Sequence, residues 1–391
     1  MHTFITSFRR ELHRIFREGH ERYVVITVVG LVFCYVFFLT LMSEGQPERL
    51  PIAIVDHDGS YLSRRLCHEV NTMQGVRVVA VYTTHTEARE AMQRQEIYAF
   101  LEIPKGTYNE LLSFSRPHIA LYSNNAYLLS GALSYRSLAT ISKLASGAIQ
   151  REVLRKKGLS DSQIMGLIQP VELDTHLISN PTANYQPYVL TSLLPGMLGL
   201  MVLLLISYAL GVERKEGIIG MRNVRNEEFS IVNSQLSIPS IPWWLGKMAP
   251  YTIFYTTLGV LGNIVLFGWC HFEQHGSFLY IALQTFLLVV ALQSMATFIG
   301  AIIPDAHMST TVCAIYGTLA FTMAGFSYPV DNMPTFLQAV SQLFPLRHYY
   351  LLASKVSLFG CGIHDIWPHI CALLAFIIPG LIGAYKLKIE N

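Results

Sequence analysis

Glu213-Arg214-Lys215-Glu216 set two acids and two bases side by side, followed by Gly217, between one apolar run ending at Leu210 and another opening near Met248. Alternating charge of this kind does the chemistry of ion pairing. On a helix extending from the preceding run, Glu213 and Glu216 share a face with neighbouring basic groups, and Gly217 lets the backbone bend. Spacing alone leaves two readings: a docking handle for a partner, or a solvated loop. A second cluster, Asp56-His57-Asp58, has the residue types of a metal site. Adjacent residues on a strand point to opposite faces, however, so a turn after a strand is the better expectation. Catalytic signatures are missing. There is no G-x-x-x-x-G-K-[ST] or G-x-G-x-x-G phosphate loop, and neither H-E-x-x-H nor G-x-S-x-G occurs. No cofactor is therefore expected on this chain, and no enzymatic activity. The 6 cysteines form no C-x-x-C pair, which leaves out the common zinc and dithiol signatures.

The elements that must position these residues are apolar. The 391 residues are 52% hydrophobic and 14% charged, with a net charge of +2. Mean hydropathy is +0.38. This composition excludes an ordinary soluble enzyme, and the near-neutral charge gives no electrostatic case for nucleic acid. Six runs lack Asp, Glu, Lys and Arg and approach the roughly twenty residues needed to cross a bilayer. They are Tyr23–Met42, Tyr188–Val212, Met248–Cys270, Phe278–Ile303, Ala306–Tyr328 and Ile366–Tyr385. Arg9, Arg10, Arg14 and Arg17 precede the first run, and no small-x-small cleavage site follows it, so it reads as an uncleaved span rather than a signal peptide. The positive-inside rule places that arginine-rich segment, the basic residues Arg214 to Arg225, and Lys386 and Lys388 in the cytoplasm.

The expected fold is a polytopic α-helical membrane protein of about six transmembrane helices, with an α/β domain outside the cytoplasm between the first two. Residues 1–22 form the cytoplasmic N-terminus, 23–42 the first span and 43–187 the outer domain. Residues 188–391 form a five-helix membrane region with a cytoplasmic loop at 212–246 and an outer segment at 327–365. In the outer domain, Pro51–Val55 reads as a buried strand ending in the Asp56–Gly59 turn. Ser60 caps a helix to about Met73, with Leu62, Leu66 and Val70 on one face. Strand Val76–Tyr82, helix Thr86–Gln95, strands Ile97–Ile103 and Ile119–Tyr122, helix Leu133–Lys157 and a last strand Val171–Ile178 follow. In the outer segment, Phe336, Leu337, Val340, Leu343 and Phe344 define one face of a short helix between Pro334 and Pro345.

The centres of the six runs hold no ionisable group, whereas ion-coupled transport places charge near the midplane. Their polarity is uncharged: Asn263, Gln284, Gln293, Thr297 and Thr310 among others. Such residues bond neighbouring helices or line a path for an amphiphilic solute. Energy for uphill movement then has to come from a partner.

Val212-Glu213-Arg214-Lys215-Glu216-Gly217 resembles the E-R-E-x-G-type segment opening the coupling region of ABC-2 type transporter permeases. Gly246-Lys247-Met248-Ala249-Pro250-Tyr251 resembles the G-K-x-x-P-Y that begins their next span. Gly325-Phe326-Ser327-Tyr328-Pro329, Asn332-Met333-Pro334 and Pro345-Leu346-Arg347 resemble their outer segment, G-x-x-x-P, N-M-P and P-x-R. Ile52 to Asp58 with Ser60 resembles the start of the extracytoplasmic domain in the large-domain branch, and Leu194-Pro195-Gly196 the entry to the second span. After Gly217 the sequence departs from the family's usual T-x-E-Q-L run. The resemblance covers nearly the whole chain in order. It implies an export permease of a bacterial inner membrane, multi-pass with both termini in the cytoplasm. ATP and Mg2+ would be held by a separate cytoplasmic ATPase subunit. A second copy or sister permease, membrane lipid and, in some assemblies, a periplasmic adaptor would complete it. Glu213, Arg214, Lys215, Glu216 and Gly217 would couple to the ATPase. Gly325, Pro329, Asn332, Met333, Pro334, Pro345 and Arg347 would gate the outer end. Asn263, Gln284, Gln293, Thr297 and Thr310 would line the path. The alternative is a membrane-anchored receptor or scaffold whose outer domain binds a ligand and which transports nothing.

Overall fold

The computed structural model describes residues 2–17, 21–112, 115, 117–169, 174, 176, 180, 184–215 and 241–389. The chain divides into two compact units, residues 44–176 and the remainder, 1–43 with 177–391.

The smaller unit is built on four strands, β1 (Leu50–Asp56), β2 (Val76–Tyr82), β3 (Ala99–Ile103) and β4 (Ala120–Ser123), in the order β2-β1-β3-β4. The first three are parallel and β4 runs antiparallel to β3. Central parallel strands are covered on both faces and so read as continuous apolar runs rather than alternating ones. Ile52, Ala53, Ile54 and Val55 are accordingly all buried. Ile52 and Ile54 pack with Leu66 and Val70 of α3 (Tyr61–Asn71) and Leu138 and Ile141 of α6 (Leu128–Lys156). Ala53 and Val55 meet Ala88 and Ala91 of α4 (His85–Gln93) on the other face. Two short helices, α5 (Thr107–Leu112) and α7 (Asp161–Ile168), have no counterpart in the sequence reading. The expected strand at 171–178 lies largely outside the described residues.

The Asp56–Gly59 segment is a turn. Asp56 Oδ1 accepts from the backbone N–H of Asp58 (3.0 Å) and Gly59 (2.9 Å). Asp58 reaches forward to the start of α5 and accepts from Gly106 N (2.8 Å) and Tyr108 N (3.3 Å). His57 pairs instead with Glu102. No trio of metal-ligating side chains occurs among the described residues. Ser60 caps α3 by accepting from Ser63 N at 3.1 Å.

Among the described residues of the larger unit, five helices are long and apolar enough to cross a membrane. They are α2 (Glu21–Leu41), α8 (Tyr185–Lys215), α9 (Ile241–Asn263, continued by a π-helical turn to Trp269), α10 (Phe278–Ile302), and the pair α14 (Ile363–Ala375) and α15 (Ile377–Ile389). The expected count of six is not met on these terms. The segment read as the fifth span forms α11 (Ala306–Met323), whose 18 residues include His307, Ser309 and four threonines. At ~1.5 Å per residue its ~27 Å nearly spans a ~30 Å hydrocarbon core, so polarity rather than length sets it apart from the five. Helix α10 is the most enclosed of the spans and packs against α8, α9 and α15. Close approach to α15 depends on small residues, as is usual between membrane helices. A Cβ on Gly380 would fall 2.7 Å from Ser294 Cβ, and one on Gly383 would fall 2.9 Å from Phe298 Cα.

The outer segment folds as a short 3-10 turn (Val330–Asn332), α12 (Thr335–Ser341), α13 (Pro345–Ala353) and a second π-helical turn (Ser354–Leu358). The single apolar face expected for α12 does not form. Phe344 is buried, whereas Phe336 and Leu343 are exposed. Helix α1 (His2–Arg17) precedes α2 and packs along α9.

Loss of one side-chain cap costs about 1 kcal/mol, or about five-fold in a local opening equilibrium. Ser60→Ala should therefore speed amide exchange of residues 61–71 by about five-fold in hydrogen-exchange mass spectrometry. Peptides of α4 should be unchanged.

Candidate functional site

One face of α1 carries Ser7, Glu11, Arg14 and Ile15 at helical spacing, and all four are buried. Two of them are charged, so this helix buries ionic groups that need partners within the protein. Those partners come from the ends of α8 and α9. Glu213, in the last turn of α8, is 0% exposed. Its Oε1 accepts from Arg14 Nη1 at 3.0 Å and Arg10 Nη2 at 3.2 Å. Its Oε2 lies 2.7 Å from Lys247 Nζ in the second turn of α9, and Lys247 is also fully buried. This last contact is an ion pair without hydrogen-bond alignment. Lys247 Nζ lies 3.6 Å from Glu11 Oε1, which also accepts from the Tyr251 hydroxyl at 2.7 Å.

The result is a knot of two carboxylates, two guanidiniums and an ammonium that joins three helices. Burial pushes the Glu11 carboxyl up, but Lys247, the Tyr251 hydroxyl, Arg14 and Arg10 together hold it below the usual carboxylate range. The backbone allows the approach because residue 246 is glycine. A Cβ there would fall 2.5 Å from the Phe4 carbonyl oxygen of α1. Gly246, Lys247 and Tyr251 thus meet α1 together.

Arg214 points the other way and donates to the carbonyls of Gly300 and, at 2.9 Å, Ile303 at the end of α10. These are the orphan carbonyls of a helix C-terminus, where a cation is favoured. Lys215 is exposed and lines a groove with Tyr208, His307 and Thr310. Glu216 and Gly217 lie outside the described residues. Of the five proposed coupling residues, Glu213 and Arg214 are therefore committed to contacts inside the chain, and Lys215 offers its charge outward. The i, i+4, i+7 spacing of residues 7, 11 and 14 marks a buried face on α1 but carries nothing about which residue meets it.

Of the residues expected to form the outer gate, Arg347 is placed against Gly325, which adopts φ +97°. A Cβ at that position would fall 2.9 Å from Arg347 Nη1 and 3.2 Å from Val330 Cγ2. Arg347 donates to the Ala324 carbonyl at 3.4 Å. Pro329 and Pro334 precede the 3-10 turn and α12, and Pro345 opens α13. Met333 is buried, while Asn332 is exposed.

The proposed path residues do not form one continuous lining. Asn263 donates to Thr285 (3.0 Å), Gln293 accepts from Thr252 (2.7 Å) and Thr297 accepts from Trp244 Nε1 (3.0 Å). These three bond neighbouring helices. Thr310 faces the groove beside Lys215, and Gln284 faces a separate outer cavity.

Removing one member of a buried ion pair costs about 3–5 kcal/mol, because its partners stay charged and dry. Glu213→Gln should lower the stability of the solubilised protein by about that amount, read as a large fall in thermal midpoint. Glu11, ionised below its ordinary ~4.3, contributes stability above that pH and loses it as acid titrates the folded carboxylate. The parent should thus lose more stability between pH 5 and 3 than Glu11→Gln, with no difference in slope between pH 6 and 8.

The sequence profile of the ABC-2 family transporter protein matches residues 22–386. The chain is 23% identical to the "Probable multidrug ABC transporter permease YbhR" of Escherichia coli K12, over 99% of this chain and 98% of that protein. It is 22% identical to the "Inner membrane transport permease YhhJ" of the same strain, over 94% of each. The apolar helices, the charged knot at the end of the second long one and a family match spanning nearly every residue agree, and this multi-pass membrane protein belongs to the ABC-2 family of transporter permeases.

Proposed function

We propose that the chain is the membrane subunit of an exporter driven by a separate ATPase subunit that holds ATP and Mg2+. The observation that carries this reading is the knot of Glu213, Arg10, Arg14, Lys247 and Glu11, which joins α1, α8 and α9 where the 212–246 loop leaves the membrane region. A docking event on that loop pulls on α8 and α9 at once, because separating them would strand buried charge. Arg214 carries the same displacement into α10 through the Gly300 and Ile303 carbonyls. In this scheme Glu213 and Arg214 transmit force, and Lys215, Glu216 and Gly217 present the docking surface.

The N-terminus, the 212–246 loop and the C-terminus lie in the cytoplasm, and the unit after α2 lies outside an inner membrane. Helix α11 makes the sixth crossing with the Gly325–Arg347 gate at its outer end. A second copy or sister permease completes the path, and an adaptor outside the membrane is compatible with the outer unit. The multidrug designation of YbhR and the uncharged polar groups of the spans support an amphiphilic solute.

The test is co-purification with candidate ATPase subunits followed by ATP hydrolysis. The chain alone should hydrolyse nothing, and the complex should be active. Lys215→Glu should weaken co-purification by about ten-fold or more, on the scale of a rim charge turned repulsive, with no change in thermal midpoint. Hydrolysis by the chain alone, free of other subunits, would overturn the assignment.

A further inference from the structure

A cavity of about 560 Å3 opens between the start of α8, the two π-helical turns and α13. Its size is that of a pocket for a drug-sized molecule. Both π-helical turns of the described chain border it. The first supplies Phe267, with Cys270 N donating to Val265 O at 2.9 Å across five residues. The second supplies Ser354 and Ser357. Such turns widen a helix at the cost of regular bonding and recur at functional sites. The loop after the first is held to the second, since His275 N donates to Ser357 O at 2.9 Å, and a Cβ on Gly276 would run into the Val356 carbonyl.

The lining has a second peculiarity. Ser192 Oγ, Gln284 Oε1 and Ser357 Oγ all belong to residues at least nine-tenths buried, and none has a hydrogen-bond partner. Buried polar atoms are nearly always paired, and leaving them bare is costly. Elsewhere in the same helix bundle Asn263 and Thr297 bond to neighbouring helices. Three such groups on residues that line one cavity point to an occupant that completes them.

The rest of the wall states the chemistry of that occupant. Aromatic rings, among them Tyr188, Phe267, Tyr349 and Tyr350, line it, and no lysine or arginine does. Glu273, on the rim, accepts from Asn180 N at 3.0 Å and is the only carboxylate among the described residues of the lining. Aromatic walls stack flat rings and attract cations, while a lone carboxylate repels anions. We propose that this outer cavity binds a flat aromatic solute, neutral or cationic, whose polar groups pair with Ser192, Gln284 and Ser357. Its use in export rests on the transport reading above, but binding itself does not and can be measured on the chain alone.

The probe is rhodamine 6G, an aromatic cation with N–H donors, titrated into the purified full chain in nanodiscs and followed by fluorescence anisotropy. Saturable binding is expected, with fluorescein, an anion of similar shape, at least ten-fold weaker. Gln284→Met should weaken the dye about five-fold or more, and Ser192→Phe, which fills the cavity, at least ten-fold, each with an unchanged thermal midpoint. A third measurement needs no substitution. Cys270 lines the cavity and is half-buried. Saturating dye should slow its alkylation by N-ethylmaleimide at least five-fold in peptide mass spectrometry, with the other cysteines unaffected. Absence of saturable binding, or binding that leaves Cys270 as reactive as before, would overturn the proposal. Failure of ATPase co-purification would leave this result untouched and strike only the export reading.

Discussion

Glu213 is held out of water with its carboxylate shared among Arg10, Arg14 and Lys247, and the arrangement of the membrane region depends on this contact. An isolated carboxylate in that position would be prohibitive, and so would an isolated lysine. Each makes the other tolerable only while α1, α8 and α9 stay together. Attraction between buried charges offsets a desolvation cost of similar size, so the knot adds little net stability, yet breaking it is expensive. That asymmetry suits a joint between moving parts. Helices held only by apolar contact can slide with modest loss, whereas helices sharing a buried carboxylate move as one.

Elsewhere in the membrane region, polar side chains are spent on neighbouring helices. Thr252 with Gln293, Trp244 with Thr297 and Asn263 with Thr285 each tie α9 to α10 near a different level. Glycines at 380 and 383 let α15 lie flush on the other side of α10. The central helix is therefore fixed on both flanks, which leaves the outer segment as the region with irregular backbone. Gly325, at a left-handed φ of +97°, turns the chain there beside the Arg347 guanidinium. No side chain larger than hydrogen fits between them.

The 44–176 unit follows a different rule. Its parallel strands have two buried faces, so every residue from Ile52 to Val55 is apolar or small and a helix covers each side. The charged turn that follows β1 is explained by backbone needs: Asp56 closes its own turn, Asp58 accepts from N–H groups at the start of α5, and Ser60 caps α3. In the Asp56-His57-Asp58 cluster, the two carboxylates serve unpaired N–H groups and the histidine pairs with Glu102.

The sequence by itself determined what depends on neighbours along the chain. Apolar runs fixed five membrane-length helices, an unbroken apolar stretch fixed the central strand, and Ser60 and Pro345 marked where helices begin. It also carried the family, because Glu213, Gly246, Lys247, Tyr251 and the Gly325–Arg347 segment keep their types and order. Only the tertiary structure decided that Glu213 is buried rather than solvated. Its partners lie 199 and 203 residues away at Arg14 and Arg10, a distance over which no local period carries information. It also decided that α11 closes after 18 residues, inside a longer apolar run, since helix ends depend on the packing around them. The same holds for Gln284: the sequence marks it as polar in an apolar run, and only the fold sets it in the wall of a cavity. Charge and polarity in a sequence report what a residue needs, and only the assembled fold determines what meets that need.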